Sequence, residues 1–237
     1  MSALILAVDT TGDSGSIALV SESGVIEEVA LASAEGFAPL SFGEVLFGEI
    51  DALLVRAGVR VQDIAAFASA SGPGSFTGVR IGVTAVKGLA EATGRPVVAV
   101  SNLQALASFG SGPLRAVVID ARRGEIYGVV YDAALEAVRE EVVMKLGAWL
   151  ASLPEGDLEF VTPVHPAGGG AIANALVGRR VIEAPRALAG AIGKIALPRW
   201  RRGLAQDPAE IDANYVRRSD AELLWKDPAA GKGPAVR

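Results

Sequence analysis

The sequence of 237 residues contains no cysteine and only one histidine, His165. Without cysteine, the protein has neither a disulfide bond nor a thiolate metal site, and nothing in its composition indicates an oxidising compartment. A single histidine excludes, within one subunit, every metal site that needs two histidines. A Ser-His-Asp triad would have to use His165, which lies between prolines in TPVHPAGGG without a nearby serine. We therefore predict that His165 is a loop residue without a catalytic role.

Long apolar runs are also missing. The first apolar run ends at Asp9, too early for a signal peptide or a membrane span, and no later run is long enough to cross a bilayer. We expect a cytoplasmic protein that does not bind membranes. The formal net charge of -5 argues against a broad nucleic-acid surface. The arginines that offer a local contact with RNA are Arg199, Arg201, Arg202, Arg217 and Arg218.

The order of apolar segments occurs twice along the chain. Three short strands separated by turn residues come first, and helices then alternate with strands. Helical spacing covers Pro39 to Ala57 and Thr77 to Thr93. A second three-strand pattern begins at RAVVID and is again followed by helices and strands. The pattern predicts an α/β protein with two similar lobes, residues 1–108 and 109–226, that face a cleft, and a disordered tail at 227–237.

The stretch SGPGSFTGVRIGVTA, Ser71 to Ala85, carries glycine at every fourth position, namely Gly74, Gly78 and Gly82. Glycine inside a helix is destabilising by about 0.5–1 kcal/mol relative to alanine, so a close backbone approach must compensate for it. Two interpretations compete: a phosphate site at the start of a helix, and a face for close helix packing. The stretch lacks the spacing of the common nucleotide motifs, which favours packing.

Two other turns have residues that suit a nucleotide. Asp9, Thr10 and Thr11 follow the first strand, and Gly168, Gly169 and Gly170 precede a short helix. Backbone N-H groups in such turns can hold phosphate, but the same residue types are common in ordinary hairpins and linkers. The charged turn DARRGEIY contains Asp120 and is typical of a solvated surface.

Five stretches taken together resemble the TsaB (YeaZ) family, whose members act in bacterial tRNA threonylcarbamoyladenosine biosynthesis. They run in order from Leu6 to Lys226: LAVDTTGDSGSIAL, ASGPGSFTGVRIG, VSNLQALA, IDARRGEIYGVVYD and DPAEIDANYVRRSDAELLWK. The resemblance implies a two-lobed actin-like fold, shared with sugar kinases and chaperone ATPases, in which each lobe is a mixed sheet with flanking helices.

The resemblance also implies a non-catalytic scaffold for the partner TsaD, a metal-dependent carbamoyltransferase, with the ATPase TsaE joining through the TsaD complex. A homodimer in isolation is expected, and tRNA contact is expected to be indirect or weak. TsaD's metal site rests on paired histidines, which this chain cannot supply. The same deficit argues against a peptidase activity of the kind once attributed to the wider family.

The resemblance places the dimer and partner surface on the two helices at 39–57 and 77–93. The implied interface residues are Glu44, Phe47, Gly74, Ser75, Phe76, Thr77, Gly78, Arg80, Gly82 and Ala85. Family members often have His-Ser-Glu where this chain has Phe42, Gly43 and Glu44, and a proline where it has Gly48. No catalytic residue, metal site or required cofactor is expected, although ATP or ADP is compatible with the complex.

An independent ATP-dependent kinase or ATPase of the same fold is the alternative. In that case, Asp9, Thr10 and Thr11 would hold phosphates, and Gly168 to Gly170 would lie near adenosine. Asp120 is the one well-placed candidate for a catalytic carboxylate in the second lobe.

Overall fold

A computed structural model describes residues 2–31, 42–164, 169–214 and 216 of the protein. Several predictions from the sequence lie outside the described residues: the first turn of the helix that begins at Pro39, the loop position of His165, Gly168, Arg217, Arg218 and the tail at 227–237.

Five strands form the first sheet. They are β1 (Ile5–Asp9), β2 (Gly15–Ser21), β3 (Gly24–Leu31), β4 (Ala66–Ala70) and β5 (Val97–Val100). Their order across the sheet is β3-β2-β1-β4-β5. Strand β1 pairs antiparallel with β2 through a short turn, and parallel with β4 after a connection that contains a helix. The predicted three-strand meander is confirmed.

Three α-helices lie in the described residues of the first half of the chain. They are α1 (Phe42–Ala57), α2 (Phe76–Thr93) and α3 (Asn102–Ala107). Ser75 begins α2, because its hydroxyl accepts a hydrogen bond from the N-H of Gly78, and Gly94 ends α2 with a φ of 63°. Ser101 caps α3 in the same way, by accepting from the N-H of Leu103.

The second half repeats the strand order of the first. Its strands are β6 (Leu114–Arg122), β7 (Glu125–Asp132), β8 (Ala137–Lys145), β9 (Leu158–Thr162) and β10 (Val181–Glu183), and its short helices are α4 (Leu146–Ser152) and α5 (Ala171–Ala175). The order β8-β7-β6-β9-β10 corresponds strand by strand to β3-β2-β1-β4-β5. The predicted duplication and the two-lobed actin-like architecture are therefore confirmed.

The last helix of the described residues, α6 (Ala189–Arg201), returns to the first lobe. The hydroxyl of Ser16 on β2 accepts hydrogen bonds from the N-H groups of Leu188 and Ala189, and a carboxylate oxygen of Glu28 on β3 accepts from Gly190. A Cβ at Gly193 would lie only 2.5 Å from the Val20 side chain. The sequence pattern grouped α6 with the second lobe, 109–226, whereas these contacts of α6 lie on the first sheet.

Alternating side chains of the strands divide the core into three layers. Leu6 and Val8 of β1 face α1 and α2, whereas Ile5 and Ala7 face α6. The layer around Ile5 also contains inward residues of the second sheet, such as Val117, so one hydrophobic core joins the lobes. A third layer lies between the second sheet and the helices α4 and α5.

Glu159 of β9 attaches the second sheet to the segment between α3 and β6. Its side chain is fully buried, and one carboxylate oxygen accepts from the N-H groups of Ser111 at 2.6 Å and Gly112 at 2.9 Å. The other oxygen lies 2.8 Å from the Arg180 guanidinium. Burial raises the pKa of this carboxyl, but the backbone donors and Arg180 outweigh burial, so its pKa lies below the ordinary glutamate value.

Replacing Glu159 by glutamine is expected to lower the free energy of unfolding by about 1.5–3 kcal/mol, because a neutral amide cannot accept from all three donors. Urea unfolding measures this difference. The control is Asp157→Asn, since Asp157 is exposed and lies 4.0 Å from the same guanidinium. For the control we expect a change below about 1 kcal/mol.

The stabilisation by Glu159 depends on pH. Folding lowers the pKa of this carboxyl, so the stabilisation is fully present above pH 4.5, the ordinary glutamate value, and is lost as the pH falls through the folded pKa. The unfolding free energies of the wild type and Glu159→Gln should therefore converge in acid. A difference that stays constant from neutral pH to about pH 3 would contradict this assignment.

Candidate functional site

The turn after β1 contains three predicted nucleotide-binding residues, and the structure buries all of them. Asp9, Thr10 and Thr11 are 1%, 0% and 4% exposed. One carboxylate oxygen of Asp9 accepts from the N-H of Thr11 at 2.9 Å and from its hydroxyl at 2.6 Å. The hydroxyl of Thr10 donates to the carbonyl of Gly78 at 2.6 Å. The polar groups of this turn are therefore engaged within the chain.

Asn102, the first residue of α3, links this turn to the segment before α2. Its side-chain amide donates to the Thr11 hydroxyl and, at 3.5 Å, to Asp9. Its side-chain oxygen accepts from the N-H of Gly72 at 3.0 Å, and its own N-H donates to the Gly72 carbonyl at 2.9 Å. Asn102 was not among the site residues predicted from the sequence. No local pattern indicates a contact across 91 residues.

The buried carboxyl group of Asp9 titrates in an unusual environment. Burial raises its pKa above the ordinary aspartate value, while the hydrogen bonds from Thr11 and Asn102 act in the opposite direction. Burial has the larger effect. This buried carboxyl accepts hydrogen bonds from Thr11 and Asn102 and thereby fixes the turn.

The glycine stripe of α2 lies against this same turn. A Cβ at Gly74 would approach the Thr11 carbonyl oxygen to 2.6 Å, one at Gly78 would overlap the Thr10 carbonyl, and one at Gly82 would lie 2.6 Å from the Thr10 hydroxyl. The expectation that a partner helix packs on Gly78 and Gly82 is therefore wrong, because both glycines are buried under the chain's own turn. Close packing is the correct interpretation of the stripe, but the packing is intramolecular.

The start of α2 leaves little room for phosphate. The N-H of Ser75 donates to the Thr11 carbonyl at 2.7 Å, and the N-H of Gly78 donates to the Ser75 hydroxyl. These groups are among those that a phosphate at the helix N-terminus would need. The turn therefore occupies the place that the phosphate interpretation assigned to a ligand.

An open apolar groove of about 480 Å³ lies between α1 and α2. It is lined by Gly43, Leu46, Phe47, Phe76, Thr77, Arg80, Ile81, Thr84 and Ala85. Phe47 and Phe76 are 53% and 42% exposed, and the Arg80 guanidinium lies 3.8 Å from the centre of the Phe76 ring. The structure thus gathers half of the predicted interface residues in one groove, namely Phe47, Phe76, Thr77, Arg80 and Ala85.

The remaining predicted interface residues lie elsewhere. Glu44 is exposed in the first turn of α1 but does not line the groove, and Ser75 is the cap of α2. Phe42, which differs from the family pattern, turns inward, since a Cβ at Gly15 would lie 3.0 Å from its ring. Gly48 is exposed, with open space around it.

The predicted second-lobe residues that the structure describes are exposed, unlike the buried Asp9 turn. Gly169 and Gly170 are exposed, with φ values of 75° and 94°, and precede α5. Asp120 is also exposed, and its carboxylate accepts from the N-H of Arg122 at 2.8 Å within the β6–β7 turn. Through this hydrogen bond, Asp120 helps to form the β6–β7 turn.

Three of the five arginines proposed for RNA contact lie in the described residues, and each of the three makes a contact within the chain. Arg199 donates to the carbonyl of Ala99 and to the side chain of Gln104, and Arg201 pairs with Glu22. Arg202 is exposed and donates to the carbonyl of Pro198.

The described residues contain neither a clustered metal site nor a membrane-spanning helix. No group of three or more histidine, cysteine, aspartate or glutamate side chains among them is arranged to hold a metal ion. Of the helices in the described ranges, none combines the length and apolar character that a membrane span requires.

Substitution of Gly78 by alanine is expected to lower the free energy of unfolding by about 1–3 kcal/mol or more, because the new methyl group would overlap the Thr10 carbonyl. Gly88→Ala is the matched control in the same helix. No atom lies within 4 Å of a Cβ at Gly88, so we expect a gain of about 0.5–1 kcal/mol from helix propensity. Thermal and urea unfolding of both variants measure the contrast, and equal changes would refute the packing assignment.

Comparison with known proteins agrees with this architecture. The family model for TsaD, tRNA N6-adenosine threonylcarbamoyltransferase, matches residues 32–168. The Bacillus subtilis tRNA threonylcarbamoyladenosine biosynthesis protein TsaB is 31% identical over 235 residues, covering 93% of this chain and 97% of that protein. The Escherichia coli protein of the same name is 35% identical over 131 residues, 54% of each chain.

A solved structure of YeaZ from Pseudomonas aeruginosa superimposes with a TM-score of 0.69 at 28% identity. The alignment covers 90% of this chain and 99% of that one. Since both the sequence match to the Bacillus subtilis protein and the structural match extend over nearly the whole chain, the protein belongs to the TsaB (YeaZ) family.

Proposed function

We propose that the chain acts in the biosynthesis of threonylcarbamoyladenosine on tRNA, as a non-catalytic scaffold that binds a TsaD-type transferase through the groove between α1 and α2. The observation that carries this proposal is the exposure of Phe47 and Phe76 on that groove. Exposed aromatic side chains that cluster on an apolar groove mark a site of protein association. Burying one such side chain contributes about 1.5–3 kcal/mol.

The choice of a TsaD-type transferase as the partner is supported by the similarity of this chain to the TsaD family. The TsaD family model matches residues 32–168, a range that contains both α1 and α2. A transferase of this family therefore has an equivalent pair of helices to offer. Two related subunits can pack through equivalent faces about an approximate two-fold axis, as in a symmetric dimer.

The same argument applies to a second copy of the chain. In the absence of the transferase, two identical grooves would face each other in a homodimer. The homodimer and the complex with the transferase would then use the same surface and exclude each other. TsaE would join through the transferase complex, and tRNA would be contacted mainly by the partner subunits.

The non-catalytic part of the proposal is supported by the residues of the chain. One histidine cannot provide a paired-histidine metal site, and the Asp9–Thr11 turn is buried beneath α2. We propose that this chain requires no cofactor, and that any ATP or ADP in the complex is held mainly by other subunits. The cytoplasmic location remains a prediction from the sequence.

Replacing Phe47 by glutamate is expected to abolish co-purification with the transferase, because the groove would then carry an unpaired charge into the interface. The control is Val177→Glu, since Val177 is 76% exposed and lies just after α5, on the other lobe. The control should bind like the wild type. Retention of the transferase by Phe47→Glu would contradict the groove as the binding site.

The alternative function, an independent kinase or ATPase, makes a different prediction for the purified chain. We expect no ATP turnover above background, because the Asp9–Thr11 turn is closed and Asp120 forms a surface turn. The assay measures phosphate release by the wild type and by Asp120→Asn. Robust release that disappears in Asp120→Asn would favour the enzyme over the scaffold.

A further inference from the structure

The chain after α6 runs back across the first lobe as an irregular segment, residues 204–214, which we call the strap. Its first anchor is strand β5, at the edge of the first sheet. Val97 donates to the carbonyl of Gln206 at 2.9 Å, and Gln206 donates to the carbonyl of Val97 at 2.8 Å. This pair of hydrogen bonds covers part of an otherwise open sheet edge.

The second anchor of the strap is helix α2. The Lys87 ammonium donates to the carbonyl of Ile211 at 3.0 Å and to that of Ala209 at 3.4 Å. The Ile211 side chain is 2% exposed and packs in the core layer that contains Val79 and Val83 of α2. The strap thus contacts α2 through polar and apolar groups together.

The third anchor lies where the chain enters α2. The N-H of Asn214 donates to the carbonyl of Ser71 at 2.7 Å, and its side-chain amide donates to a carboxylate oxygen of Glu141 at 2.7 Å. A Cβ at Gly72 would lie 3.1 Å from the Asn214 carbonyl oxygen. The end of the strap therefore lies against the segment that leads into the glycine stripe.

Glu141 connects the strap to both lobes. It lies on β8 of the second sheet, and its other carboxylate oxygen accepts from the hydroxyl of Tyr131 at 3.1 Å and from that of Ser101, the cap of α3. Burial and the neighbouring carboxylate raise the pKa of Tyr131, which keeps its hydroxyl protonated as a donor. One side chain thus joins the second sheet, the start of α3 and the strap.

We propose that the strap and Glu141 are positioning elements that hold α2, and with it the partner groove, in a fixed position relative to the second lobe. The inference rests on the proposed function of the groove. None of residues 204–214, all of which the structure describes, lines the groove, so they would act on binding only through α2. A surface that is already ordered loses less conformational entropy on association.

The test uses the full-length chain and two measurements, amide hydrogen exchange along α2 and affinity for the transferase. Glu141→Ala removes the junction, and Lys87→Met removes the polar contact between α2 and the strap. Glu140→Ala is the control, because Glu140 is an exposed neighbour on the same strand. Lys87→Arg keeps a donor at the end of the side chain and should restore the wild-type behaviour in part.

In Glu141→Ala and Lys87→Met, we expect faster exchange in the first half of α2 and a loss of affinity of at least about fivefold. Glu140→Ala should match the wild type in both measurements. Unchanged α2 exchange and affinity, with faster exchange in the strap alone, would overturn the proposal. An equal effect of Glu140→Ala would do the same.

A milder variant covers the case in which Glu141→Ala does not fold. Asn214→Ala removes only the side-chain contact with Glu141 and keeps the backbone hydrogen bond to Ser71. Because both changes release the same strap, the effects of Asn214→Ala and Lys87→Met should be less than additive when combined. Full additivity in affinity would count against a single strap. If the wild type does not bind the transferase, the proposed function fails, and exchange in α2 alone decides whether the strap holds the helix.

Discussion

The contact between Gly78 and the Thr10 carbonyl determines how α2 lies on the first sheet. Without a side chain at Gly78, the helix approaches the β1–β2 turn until the backbones touch, and the Thr10 hydroxyl can donate to the Gly78 carbonyl. This approach places the Thr11 carbonyl beside the N-H of Ser75. The side chain of Asn102 completes the hydrogen bonds of the turn. The groove at the outer face of α2 follows from that placement.

The fold could combine nucleotide binding at this turn with protein association at the outer helices. The same close approach separates these two functions. To hold phosphate, the turn after the first strand would have to be open, and the start of the following helix would have to remain accessible. Here other residues of the same chain bury the turn. The exposed side chains that could bind a partner lie on the outer side of α1 and α2. The groove on that side is apolar and carries two partly exposed phenylalanines.

Local patterns in the sequence were sufficient for most elements of the fold. The turn residues around Gly12 and Gly24, the helical spacing in α2 and the duplicated meander gave the strands and the two lobes correctly, because neighbouring residues determine them. The placement of α6 on the first sheet could not be obtained in this way. It depends on small side chains such as Ala7 and Gly193, which are far apart in sequence and carry no periodic signal.

For the same reason, less of the candidate site than of the fold could be predicted from the sequence. Phe47, Phe76 and Arg80 could be selected through the family resemblance, and they do share a groove. The glycine stripe correctly indicated a close contact, but the identity of the contacting group, the Thr10–Thr11 turn, required the tertiary structure. Asn102 and Glu141 each connect segments that lie tens of residues apart, so neither has a signature within its own segment.

The return of α6 to the first sheet has a consequence for the order in which the chain can fold. The inner face of that sheet, with Ile5 and Ala7, is covered by a helix made almost two hundred residues later. A fragment that ended at residue 108 would expose this apolar face to water. The first lobe is therefore completed only after the strands of the second lobe have been made, which argues against folding of the two halves as fully independent successive domains.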